Sequence, residues 1–103
     1  MQRIETIKEF LKSNPNDNFL RHALALEYIK TGDNEGARKL FEAILHESPD
    51  YVGSYYHLAK LLERLKDIEA AIKWYEQGME VAKKLKDNHA YNELQMAYED
   101  LIY

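Results

Sequence analysis

Residues 37–49 read ARKLFEAILHESP, and the spacing inside that stretch, Ala37-x3-Phe41 with Pro49 eight residues beyond the phenylalanine, decides the fold. Upstream, Arg3-x3-Ile7 is followed by Pro15 at the same interval; downstream comes Ala71-x3-Tyr75. Pro15 and Pro49 lie 34 residues apart, and so do Ala37 and Ala71. Two independent markers share one period, and a period of this length signals stacked helical hairpins. Such a stack has neighbour contacts and long exposed faces rather than one central core, and those faces are where binding occurs.

Local punctuation divides the rest of the chain into six helical segments. The first, near Ile4 to Ser13, places Ile4, Ile7 and Leu11 at helical spacing and stops at Asn14-Pro15, where the hydrogen-bond ladder fails. A second runs from about Asn18 to Thr31, with Asp17 as cap and Gly32 at a left-handed closing position. Asp33 or Asn34 caps a third, whose Ala37, Leu40, Phe41, Ile44 and Leu45 form one stripe up to Pro49. The fourth is expected from about Tyr51 to Leu65, carrying Tyr55, Leu58, Ala59 and Leu62. Asp67 caps the fifth, with Ile68, Ala71, Ile72, Tyr75, Met79 and Ala82 on one side. After a polar turn at Lys86 to Asn88, a sixth helix carries Tyr91, Leu94, Tyr98, Leu101 and Ile102. No stretch reads as a strand.

In this register the chain resembles the tetratricopeptide repeat family, whose pattern is W-x2-L-G-x2-Y, then A-x3-F, then P. One unit reads Arg21-x2-Leu24-Ala25-x2-Tyr28, Ala37-x3-Phe41, Pro49. The next reads Tyr55-x2-Leu58-Ala59-x2-Leu62, Ala71-x3-Tyr75, with Lys83 in place of the proline. Small residues at Ala25, Ala37, Ala59 and Ala71 let paired helices approach, while Leu24, Leu58, Phe41 and Tyr75 fill the space beside them. The resemblance implies an all-α fold, a short α-solenoid of antiparallel helix hairpins with about six helices: a half-unit, two full repeats and a capping helix. In the last segment Asn92 and Glu93 stand where the pattern wants leucine and a small residue, as befits a terminal cap. The whole of 1–103 is read as a single tetratricopeptide-like domain, a length sufficient for one modest core.

Composition narrows the function. The chain has no cysteine, which removes disulfides, thiolate metal sites and cysteine nucleophiles together. Net charge is −4 with cations dispersed among anions, so no nucleic-acid partner is expected, and Lys83, Lys84 and Lys86 read as the solvated C-terminal end of a helix. No segment has the length of apolar sequence that a membrane span requires, and Met1 to Glu5 lacks the layout of a signal peptide; the expected location is cytoplasmic, with no membrane partner. Enzyme signatures such as H-E-x-x-H, G-x-S-x-G or a phosphate-binding glycine loop are missing, so the chain is read as no enzyme and as needing no cofactor. His22, His57 and His89 recur roughly once per repeat, but His57 sits one position off His22 in its unit and so points about 100° away, which argues against a metal site. Gly78 takes the place held by Ile44 one period earlier, and close approach of the last helix is the expected reason.

The resemblance also implies a binding mode, in which the first helix of each hairpin lines a concave groove that holds a segment of a partner protein. Carried over, the contacts are Phe19, His22, Leu26 and Ile29 on one groove helix and Tyr56, Lys60 and Glu63 on the next, with Tyr91, Leu94 and Tyr98 as candidates on the last. One subclass of the family clamps a C-terminal carboxylate with lysine and asparagine; His22 and Leu26 stand at those places here and do not supply the same contacts. The reading is therefore a protein–protein interaction module. Its alternative is a self-assembling unit that homodimerises through the last helix, where Tyr91, Leu94, Met96, Tyr98, Leu101, Ile102 and Tyr103 cover more than one face.

Overall fold

The computed structural model describes residues 2–103. Among them are six helices and no strand: α1 Gln2–Ser13, α2 Asn18–Lys30, α3 Asn34–Glu47, α4 Gly53–Arg64, α5 Ile68–Lys84 and α6 Asn88–Ile102. The fold is an all-α helical repeat, as the periodicity predicts. The chain forms two compact units, Met1–Glu47 and Ser48–Tyr103. In the first, α2 packs against both α1 and α3; in the second, α5 packs against both α4 and α6.

Tight corners join the helices, and their chemistry is readable residue by residue. After α2, the Asp33 N–H donates to Tyr28 O at 2.8 Å and the Gly32 N–H to Ile29 O at 3.1 Å, with Gly32 at φ +88°. The same pair of bonds recurs after α4, from Asp67 to Leu62 O and Lys66 to Glu63 O, and after α5, from Asp87 to Ala82 O and Lys86 to Lys83 O. These are Schellman closures, and the aspartate that completes each one also caps the next helix. Asp33 accepts from Gly36 N, Asp67 from Ala70 N and Asp87 from Ala90 N. Lys66 and Lys86 hold the left-handed position at φ +66° and +59°, which costs an L-residue roughly 1–2 kcal/mol that glycine avoids.

Proline makes the other corners. Pro15 and Pro49 each take the second place of a four-residue turn, closed by Asp17 N–H to Asn14 O at 3.2 Å and by Tyr51 N–H to Ser48 O at 3.0 Å. The second turn retains Tyr51, so α4 begins at Gly53 rather than at the expected Tyr51. Where Lys83 replaces the proline, nothing stops the helix: α5 has 17 residues where α3 has 14. Its exit is a left-handed lysine corner instead of a proline turn, and α6 enters in its own register. Asn92 and Glu93 are exposed, while Leu94 and Ala97 are the residues buried.

Packing follows the small residues. Ala25, Ala37, Ala59 and Ala71 have no exposed surface, and Leu24, Phe41, Leu58 and Tyr75 are buried beside them. Two register positions exchange size between the units. In the first, Arg21 is buried with its guanidinium on Asn18 at 2.6 Å and Glu47 at 3.4 Å, and Ile44 is fully buried. One period later stand Tyr55, whose hydroxyl donates to Pro49 O at 2.7 Å, and Gly78. A Cβ at Gly78 would lie 2.7 Å from Tyr55 Cβ and 3.1 Å from Leu94 Cδ1. The last helix does approach this glycine, as expected, but α4 approaches it more tightly.

Some positions of the repeat pattern and of the expected apolar stripes are not core. Tyr28 is half-buried, with the Lys8 ammonium 5.7 Å from its ring centroid, and Ile68 is exposed. Conversely, Ser54 and Leu61 are fully buried although the expected stripe of α4 omits both. The Gly78 contact gives a direct check. Gly78→Ala gains about 1 kcal/mol of helix propensity, but the new methyl meets a Cβ that cannot swing away, so net destabilisation of about 1–2 kcal/mol is expected in urea unfolding.

Candidate functional site

On α2 the expected contact residues form a strip with α1 packed along one side. The Asp17 side chain accepts from Leu20 N at 3.0 Å and fixes the first turn. From α1, Arg3 pairs with Glu27 at 3.2 Å and Lys8 reaches Tyr28, so this flank of α2 is covered. Lys30 also pairs with Glu27 at 3.2 Å, and hydrogen bonding from Lys30, then from Arg3, holds the Glu27 carboxyl below its usual range. On the other flank the His22 ring meets Phe41 of α3 edge-on, centroids 5.4 Å apart. Phe19, 73% exposed, and the partly exposed Leu26 and Ile29 share one face of α2 with His22. The His22 ring within this face is thus engaged by α3.

The α4 residues are interlocked. Tyr56, Lys60 and Glu63 follow at four- and three-residue steps, which stacks them on one helix face. The Lys60 ammonium lies 5.9 Å from the Tyr56 ring centroid and 3.8 Å from Glu63. The same Glu63 carboxylate accepts from the Tyr75 hydroxyl of α5. Burial first, and then the Glu63 carboxylate, push the Tyr75 phenol far above its ordinary value, so it remains a donor. Tyr75 was legible as a core aromatic but not as a support for Glu63. The signal was its phenol: a buried tyrosine at a position where Phe41 stands one period earlier needs a partner for its hydroxyl.

The third group of candidates separates. Leu94 is 1% exposed and belongs to the core, whereas Tyr91 and Tyr98 remain partly exposed. Tyr98 donates to Glu76 of α5 at 2.9 Å, and that bond raises its phenol above the usual value. Among the described residues no three or more His, Asp or Glu converge as for a metal ion, and no helix is long and apolar enough to cross a membrane.

A model of the tetratricopeptide repeat matches residues 22–78, more than half of the chain. The solution structure of a tetratricopeptide repeat domain protein from Salinibacter ruber is similar at TM-score 0.81 and 45% identity, over 84% of this chain and 88% of that one. A protein from Bordetella parapertussis shares the fold at TM-score 0.83 and 24% identity, over 96% of this chain and 86% of that one. Human aspartyl/asparaginyl beta-hydroxylase is 28% identical over 75 residues, which are 73% of this chain but 10% of that protein. The chain thus spans about a tenth of the length of the curated relatives it matches.

His57, partly buried on α4 beside Tyr56, supplies a pH test. Burial lowers its pKa from the ordinary 6.5, with Arg64 acting in the same direction and Glu93 of α6 opposing. The unfolded chain therefore takes up this proton more readily than the folded one. Stability contributed by neutral His57 is present above pH 6.5 and is lost as pH falls towards the lowered folded value. Urea midpoints of the wild type should drop from pH 7.5 to 5.5, and His57→Gln should reduce that drop.

Proposed function

The chain belongs to the tetratricopeptide repeat family, and from that premise we propose that it is a binding module, an adaptor that holds apolar segments of another protein, the exposed strip of α2 serving in one unit and that of α4 in the other. The observation that carries this is Phe19: a phenylalanine 73% exposed on a helix that also presents Leu26 and Ile29 leaves apolar surface for a partner to bury. Contacts are Phe19, His22, Leu26 and Ile29, with Tyr56, Lys60 and Glu63 as a second group. Because Lys60 and Glu63 pair with each other, they offer a partner a fixed donor and acceptor rather than a net charge. The proposal is of a protein that acts by binding and not by catalysis, supported by the missing catalytic motifs, and located in the cytoplasm, in keeping with a cysteine-free sequence.

Peptides selected from a displayed random library should share an apolar anchor. Leu26→Glu combined with Tyr56→Ala should abolish their binding while circular dichroism stays helical; undiminished binding by that variant would place the contact elsewhere.

A second reading, homodimerisation through α6, is favoured by Met96 at 69% exposure and by exposed Ile102 and Tyr103. Leu94 takes no part in it, since it is committed to the core. Under this reading light scattering gives a dimer mass that Leu101→Glu lowers; a monomer at all concentrations eliminates it.

A further inference from the structure

A cleft of about 410 Å³ lies between α5 and α6, lined by Glu76, Met79, Glu80 and Lys83 from the first and by Tyr91 and Tyr98 from the second. None of these residues belongs to the proposed contacts on α2 or α4. Tyr91 and Tyr98 are seven residues apart, two helical turns, so their rings stand one above the other on the α6 wall. The Tyr98 hydroxyl holds the Glu76 carboxylate at 2.9 Å, which fixes one acceptor at the edge of a ring. Glu80 is one turn further along α5, on the same face as Glu76. Two carboxylates stand against the one ammonium of Lys83, which is itself exposed. Aromatic faces beside carboxylates that outnumber the ammonium attract a cation, and a planar guanidinium satisfies both, stacking on a ring while its N–H groups bond a carboxylate. Met79 adds a deformable apolar surface for the methylene stem.

We propose that the α5–α6 cleft is a second binding site, one that takes an arginine side chain of a partner protein, with its guanidinium between the Tyr91 and Tyr98 rings and the Glu76 and Glu80 carboxylates. The ordinary size of the cleft suits a side chain rather than a folded surface. Lysine meets the charge but lacks the plane, and acidic residues are repelled.

The test is an NMR titration of the isotope-labelled full chain with acetyl-Gly-Arg-Gly-amide, and separately with its lysine and glutamate counterparts. Saturable shifts at Tyr91, Tyr98 and Glu80 are expected with the arginine peptide, at least threefold weaker binding with lysine and none with glutamate. Glu76→Gln with Glu80→Gln should weaken arginine binding at least tenfold, and both positions are exposed, so the helical spectrum should persist. Tyr91→Ser is the independent variant, with the same expected loss. Shifts that do not saturate, equal affinity for lysine, or undiminished binding by either variant would overturn the assignment. The Leu26→Glu, Tyr56→Ala protein should bind the arginine peptide normally, which keeps this site's outcome apart from that of the apolar strips.

Discussion

Close approach of paired helices at alanine is the constraint on which the rest depends. Ala25 and Ala37 on the packed α2 and α3, and Ala59 and Ala71 on the packed α4 and α5, bring no side-chain bulk beyond a methyl and retain no exposed surface. That leaves the flanking Leu24, Phe41, Leu58 and Tyr75 to fill the layer between the helices at interior density. The repeat spacing is the sequence record of this geometry, since a marker shifted by one position would rotate about 100° away from its partner helix.

The two units meet the same geometric demand with different volumes. Arg21 and Ile44 are buried in one, and at the same repeat positions in the other stand Tyr55 and Gly78, which meet closely. Their terminal polar groups are bound locally, while Arg21 Nε is buried without a partner among the described residues. Arg21 turns to Asn18 and Glu47, and the Tyr55 hydroxyl reaches the carbonyl of Pro49. The corners obey the same economy, because a single aspartate completes one helix and starts the next in three places.

For the candidate sites, the helix faces were legible and the couplings were not. Periodicity placed Phe19, Leu26 and Ile29 on one strip of α2, and they do share it with substantial exposure at Phe19. It did not show His22 against Phe41, nor Glu63 accepting from Tyr75, because each of these joins residues on different helices at separations no helical period encodes. Leu94 failed as a surface candidate for a related reason. The loss of proline at Lys83 lengthened α5 and changed the corner, so the register of α6 was no longer that of the earlier helices.

Read alone, the amino-acid order determined the number of helices, their caps and corners, and the positions of the buried alanines, since all of these rest on interactions within a few residues or on one strict period. Tertiary structure alone decided which faces remained for binding. Exposure at Phe19, burial at Leu61, the ion pair that Arg3 makes with Glu27, and the cleft between α5 and α6 all depend on which helix lies alongside and at what angle. That information is carried by contacts between segments distant along the chain, where size and charge on one helix are answered by another.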